Sequence, residues 1–229
     1  MIIAISGKIA SGKDTLGKII QYLNLQKNYP KTWTQWDFDF FINGEHTWES
    51  DYQIKKFGGK LKEIASLVLN IPTEQFESQE FKKTELGKEW KITNIIGEEK
   101  PMTVREFLQK LGTDAARDNI HPDFWVNALF ADYKPYSARG SGYEETESNW
   151  IITDVRFPNE VKAIKEKGGK VIRIERMFNI DNSGPIIPST HFSETALDNF
   201  DGFDITIENN GTIEELIEKV KNYENIYIN

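Results

Sequence analysis

GKIASGKDT, residues 7–15, is the stretch whose reading decides the fold. It fills the pattern G-x-x-x-x-G-K with Gly7, Gly12 and Lys13. Ahead of it, residues 1–6 (MIIAIS) form a short isoleucine-rich run of the kind a buried parallel strand shows. Behind it, Leu16, Ile19, Ile20 and Leu23 recur three and four apart, which predicts a helix over 13–25. A strand, a glycine turn and a helix in that order curl successive amides around an anion. The helix N-terminus adds a partial positive charge and the Lys13 ammonium a full one. The alternative is an ordinary glycine turn with Lys13 solvated.

Asp14 departs from the pattern, which continues with serine or threonine. A bare carboxylate beside phosphates repels them, and a divalent cation between the two reverses the sign. Carboxylate oxygen is a good hard ligand for magnesium, directly or through water. Asp14, aided by the hydroxyl of Thr15, is therefore a candidate to orient Mg²⁺. The structural alternative is that Asp14 caps the helix.

The rest of the chain reads as further strands and helices. Helices are predicted over 52–69, with Ile54, Phe57, Leu61, Ile64, Ala65 and Val68 on one face, and over 104–111, 123–133, 159–167 and 213–220. Asp123 is available to cap the third of these, and Gly168 and Gly169 end the fourth. Strands are expected over 149–154 (NWIITD), 170–175 (KVIRIE) and 203–207. Residues 76–101 read as an insertion with a hairpin in it, 134–148 as a polar loop, and 179–190 as a flap rich in turn-formers. Strands alternating with helices imply an α/β fold, a parallel sheet with helices on both faces. One domain spans 1–229, without repeats or an obvious linker.

Bulk composition narrows the function. A net charge of −8 argues against a general nucleic-acid binder, but not against a small phosphorylated substrate met by a few cations in one cleft. The absence of cysteine removes disulfides and thiolate metal sites. The apolar start is too short to span a membrane and lacks a basic region before it, so a cytoplasmic protein without membrane association is expected.

A second acidic site follows the strand in NWIITDVRFPNEV, residues 149–161. Asp154, at the end of that strand, is placed to approach a metal bound at the loop. Arg156, two residues on, could lie over a transferring phosphoryl group. The bland alternative makes Asp154 a cap and Arg156 a surface residue.

Together, SGKIASGKDTLGKII, FLQKLGTDAARDNIHPDFWVNALFADY, WIITDVRFPNEVKAIKEKGGKVIRIER and THFSETALDNFDGFDITIENNGTIEEL resemble the bacteriophage-type deoxynucleoside monophosphate kinases. These are a branch of the P-loop nucleoside monophosphate kinases, and the Gly-Lys-Asp-Thr form of the loop is characteristic of the group. The match is poorest over 28–51 and 83–101. The resemblance implies a P-loop kinase fold with a lid near 177–192. It also implies transfer of the γ-phosphoryl group of ATP to a deoxynucleoside 5′-monophosphate with Mg²⁺, and a homodimer.

Carried over by position, the resemblance gives the ATP site Gly7, Lys8, Ala10, Ser11, Gly12, Lys13, Asp14 and Thr15, with Arg176 closing over ATP. Asp14, Thr15 and Asp154 would serve the metal, and Lys13, Asp14 and Arg156 the chemistry. The acceptor would meet Lys62, Lys82, Arg117, Arg156, His191 and the ring of Trp125, which could stack on the base. The mundane alternatives are solvated lysines, a core tryptophan and a helix-capping histidine.

Two rivals stay open at this stage. One is a kinase of the same fold acting on another phosphorylated molecule, of phosphomevalonate type, for which base stacking has no use. The other is a P-loop ATPase or switch with no small acceptor, which would hydrolyse ATP unaided.

Overall fold

The structure is a computed structural model, and it describes residues 1–28, 38–43, 50–93, 96–133, 149–177 and 195–224. The chain divides into two compact units, Met1–Lys56 with Tyr133–Asn229, and Phe57–Asp132.

The first unit is built on five parallel strands in the order β2-β5-β1-β6-β7. These are β1 (Ile2–Ser6), β2 (Tyr52–Lys55), β5 (Asn149–Val155), β6 (Lys170–Glu175) and β7 (Ile205–Glu208). The central strands are buried along nearly their whole length, which is why they read as unbroken apolar runs. Helix α1 (Lys13–Asn28) lays Leu16, Ile19, Ile20 and Leu23 on Ile3 and Ile5. The short α2 (Phe38–Ile42) adds Phe38 and Phe41 to this cluster. Each fully buried aliphatic side chain here is worth about 1.5–3 kcal/mol. Two later helices are described in this unit. One, α6 (Pro158–Glu166), lies against β6 and β1 with Val161 and Ile164 buried. The other, α7 (Ile213–Lys221), sends Leu216 and Val220 into the same cluster as α1. The α/β class and parallel sheet expected from the sequence are as observed.

One predicted helix is wrong at its start. Residues Tyr52–Lys55 are an edge strand paired with β5, and the helix α3 begins only at Phe57 (Phe57–Leu69). Ile54 therefore belongs to the sheet, and Val68, placed on the buried face by the helical spacing, is 53 % exposed.

The second unit carries α3, short turns, and a two-residue antiparallel pair, β3 (Ile92–Thr93) with β4 (Glu99–Lys100). Its core joins Ala65, Phe76, Val104 and Leu108. Helix α4 (Val104–Gln109) starts on a capping box, in which Thr103 accepts from the Glu106 N–H and the Glu106 carboxylate accepts from the Thr103 N–H. Beyond it, Lys110–Ile120 winds as a wider π-type helix in place of the predicted helix end at 111. Trp125 Nε1 donates to the Gly112 carbonyl at 2.7 Å, the kind of side-chain insertion that loosens a helical ladder. Helix α5 (Phe124–Phe130) has Asp123 at its N-cap position, yet Asp123 makes no side-chain capping bond. The Asp123 N–H instead donates to His121 Nδ1 at 3.0 Å. The predicted flap at 179–190 and the polar loop at 134–148 lie outside the described residues.

Candidate active site

Parallel strands deliver their following loops to one edge of the sheet, the edge where ligands bind in open α/β folds. In the first unit that edge receives the loop after β1, Lys56 after β2, Arg156 after β5, Arg176 after β6 and Asn209 after β7. Thr153 and Asp154 stand near the end of β5, where the pairing with β1 slips. Ala4 faces Ile152 but Ser6 faces Val155, so β5 advances three residues while β1 advances two. Such irregularities re-aim side chains next to functional sites. Thr153 is buried here and Asp154 only partly so.

The loop is a tight cradle. Gly12 has φ +100°, a conformation that favours glycine, and Ala10 also lies in the left-handed region at φ 62°. The Ser11 N–H donates to the Lys8 carbonyl at 3.2 Å. Asn209, buried after β7, donates from Nδ2 to the Ser11 carbonyl at 2.9 Å and so pins the loop from the far side of the sheet. The buried Ser11 hydroxyl has no partner among the described residues. Lys8 Nζ is paired with Asp198.

Lys13 is folded back over the loop, with Nζ donating to the carbonyls of Gly7 at 2.8 Å and Lys8 at 2.7 Å. Burial, helped by the neighbouring Arg156 and Arg173, lowers its pKa to about 8, against the opposing pull of Asp14 and Asp154. Two carboxylates and three cations thus share one small field. No sequence motif marks Arg173. It is buried in β6, reaches Ser6 Oγ at 3.3 Å and Glu175 Oε1 at 3.4 Å, and lies 5.5 Å over the ring of Phe203.

Asp14 occupies the second position of α1. Its Oδ1 accepts from Thr153 Oγ1 at 2.6 Å and meets Lys56 Nζ at 3.1 Å. Partial desolvation pushes its pKa up, but the Thr153 hydroxyl and the Lys56 ammonium outweigh this and hold the carboxyl below its ordinary value. Thr15 follows at the third position of α1. The buried Glu160 carboxylate accepts the N–H groups of Arg156 at 2.7 Å and Phe157 at 3.1 Å, which fixes the backbone that carries Arg156.

The candidate donors at the loop are hard oxygens, which fit a magnesium ion. Among the described residues there is no group of three or more His, Cys, Asp or Glu that could hold a metal. Asp14, Asp154 and the Thr15 hydroxyl are what an ion needs when it keeps its waters and takes its remaining ligands from phosphates.

The residues expected on the acceptor side fall in the second unit. Lys62 is ion-paired with Glu77 at 2.6 Å, and Lys82 lies in a turn at Phe81–Lys83. Arg117 Nη1 donates to the Pro122 carbonyl at 3.4 Å from the π-type helix. Trp125 is 3 % exposed and meets Phe124 edge-on, so of its two readings the interior one describes the ring as it stands. An open cavity of about 430 Å³ in this unit is lined by other residues, among them Trp90, Phe107 and Asn119. Arg176 is exposed just beyond β6, and His191 lies outside the described residues.

Sequence comparison adds the family. A profile of the deoxynucleotide monophosphate kinases matches residues 54–220, from β2 through most of α7. The chain belongs to the deoxynucleotide monophosphate kinase family. Within that family it is 35 % identical over 133 residues to the deoxynucleotide monophosphate kinase of Enterobacteria phage T4, covering 58 % of this chain and 50 % of the relative. A protein of Acanthamoeba polyphaga mimivirus assigned to the same kinase class is 31 % identical over 169 residues, 72 % of this chain and 79 % of its own length. The deoxynucleoside-5′-monophosphate kinase of Escherichia phage T5 is 28 % identical over 109 residues, 43 % of this chain and 40 % of the relative. The chain thus spans about half the length, or less, of the phage kinases it matches. No described helix is long and apolar enough to cross a membrane.

Proposed function

We propose that this chain transfers the γ-phosphoryl group of ATP to a deoxynucleoside 5′-monophosphate, giving the deoxynucleoside diphosphate and ADP. The observation that carries this reading is Lys13. A half-buried ammonium with a depressed pKa bonds, among the described residues, two carbonyl oxygens of its own loop, and phosphate oxygens are far better partners for it. The family's naming supplies the acceptor class.

The roles follow from chemistry. The amides of residues 7–15 and Lys13 hold the β- and γ-phosphates of ATP, as in other loops of this pattern. Magnesium, when bound through Asp14, Thr15 and Asp154, neutralises part of the triphosphate charge. Arg156 faces the oxygens of the phosphoryl group in flight, where a guanidinium stabilises spread negative charge. The acceptor phosphate is already a nucleophile, so no general base is required. Lys62, Lys82 and Arg117 are proposed for the acceptor phosphate, and Arg176 and His191 for closure over the nucleotides. A base contact by Trp125 requires the unit to rearrange around a ring that is now interior.

A coupled assay of ADP formation tests this against both rivals. The expected result is turnover with at least one of the four deoxynucleoside monophosphates, and little with phosphomevalonate or without acceptor. Equal ADP release with no acceptor would assign the chain to the ATPases instead.

A further inference from the structure

The Asp14–Lys56 pair raises a question that the reading of the loop leaves open. Lys56 directly follows β2, and β2 runs beside β5 with Lys55 opposite Ile152. Continuing that register by one residue sets Lys56 beside Thr153. The two side chains converge on the same carboxylate oxygen, Thr153 Oγ1 at 2.6 Å and Lys56 Nζ at 3.1 Å from Asp14 Oδ1. Both contacts fall on one oxygen of the carboxylate.

Fold stability does not explain the arrangement. The Asp14 side chain is 64 % exposed and that of Lys56 26 %, and an ion pair so open to water contributes little to stability. The consequence lies in the charge presented to a ligand. Without a cation beside it, Asp14 would set a full negative charge where triphosphate has to bind.

We propose that Lys56 is the resident counter-ion of Asp14, a positioning residue that neutralises the carboxylate before Mg²⁺ arrives with the nucleotide. This rests on the reading of the loop as an ATP site. Lys56 makes the nucleotide-free loop tolerant of phosphate, and the divalent ion takes over that neutralisation when it enters with the nucleotide. Removing Lys56 makes ATP binding depend more steeply on magnesium, because only the metal then offsets Asp14.

The test is ATP affinity by calorimetry, in excess EDTA and in saturating Mg²⁺, for the parent, Lys56→Met, Lys56→Arg, Asp14→Asn and Lys56→Met/Asp14→Asn. Binding is read without turnover. The expected result is that Lys56→Met widens the ratio of the two dissociation constants about tenfold, the scale of one unit charge a few ångström away in a half-solvated site. Lys56→Arg keeps the parent ratio. In the Asp14→Asn background, Lys56→Met changes the ratio no further, since its effect runs through the carboxylate. An unchanged ratio in Lys56→Met overturns the proposal. So does an equal widening in the Asp14→Asn background, which would make Lys56 a direct phosphate ligand. A parent that binds ATP under neither condition removes the ATP reading and this proposal together, whereas failure confined to the variants removes this proposal alone.

Discussion

If the loop holds ATP as proposed, raising the pH should weaken that binding through a single residue, Lys13. With its pKa at about 8, Lys13 is about 90 % charged at pH 7 and about 10 % charged at pH 9. If only the ammonium form grips the phosphates, the dissociation constant for ATP rises about tenfold across that interval, or about 1.4 kcal/mol. The ligand does not titrate there, because its terminal phosphate loses its last proton near pH 6. Bound phosphates raise the pKa of Lys13 again, so binding at about pH 9 takes up close to one proton. Calorimetry in two buffers of different ionisation enthalpy measures the affinity and the proton together. A Lys13→Arg variant stays charged throughout, so it loses the pH dependence whatever its absolute affinity. The same depression acts on folding. Between about pH 8 and 10.5 the unfolded chain binds more protons than the folded one at this residue, so Lys13's contribution to stability rises with pH across that window. Equal affinity at pH 7 and pH 9, with no proton taken up, would refute the claim that Lys13 is a desolvated, phosphate-seeking cation.

Three further outcomes follow from packing and geometry. In Gly17→Ala the new Cβ would stand 2.8 Å from Thr153 Cγ2 and 3.3 Å from Ile151 Cγ2. Overpacking of about 1–3 kcal/mol then exceeds a helix-propensity gain of about 1 kcal/mol. The melting temperature should fall by about 2–8 °C, and a rise would show that β5 yields freely. Asn209→Ala leaves the Ser11 carbonyl without its buried donor, a loss of about 1–3 kcal/mol that should appear both in the melting temperature and as weaker ATP binding; a change in stability alone would separate Asn209 from the loop's function. Arg156→Lys keeps the charge but not the two-pronged donor. The turnover number should drop about a hundredfold while ATP affinity stays within about threefold, and an unaltered turnover number would remove Arg156 from the chemistry.

What could be read from the sequence is what is local along the chain. The loop declares itself because G-x-x-x-x-G-K needs seven neighbouring residues and nothing else. Strands β1, β5 and β6 were legible because both their faces are buried, which leaves unbroken apolar runs. Strand β2 was not. Its four residues, YQIK, lie at the sheet edge and run straight into the amphipathic pattern of α3, so helical spacing absorbed them. Their identity as a strand comes from pairing with β5, far along the chain. The same distance hid Lys56. No motif marks a lysine that meets Asp14 only because β2 and β5 are neighbours. Thr153 was passed over beside the more conspicuous Asp154, although it is Thr153 that bonds Asp14. Asn209 and Arg173 act on Ser11 and Ser6 across the sheet, contacts that only the strand order creates. Trp125 left two readings open in the sequence, a stacking ring and a core ring, and its indole N–H bonds the Gly112 carbonyl, a partner no motif reveals.

The central claim is that the loop around Lys13 delivers the terminal phosphoryl group of ATP to another nucleotide. It is tested most directly by following the label from γ-labelled ATP, with Mg²⁺ and each deoxynucleoside monophosphate in turn, and separating the products. The account predicts label on a deoxynucleoside diphosphate with the parent chain and none with Lys13→Ala. Label appearing only as free inorganic phosphate, whether or not an acceptor is present, would contradict it.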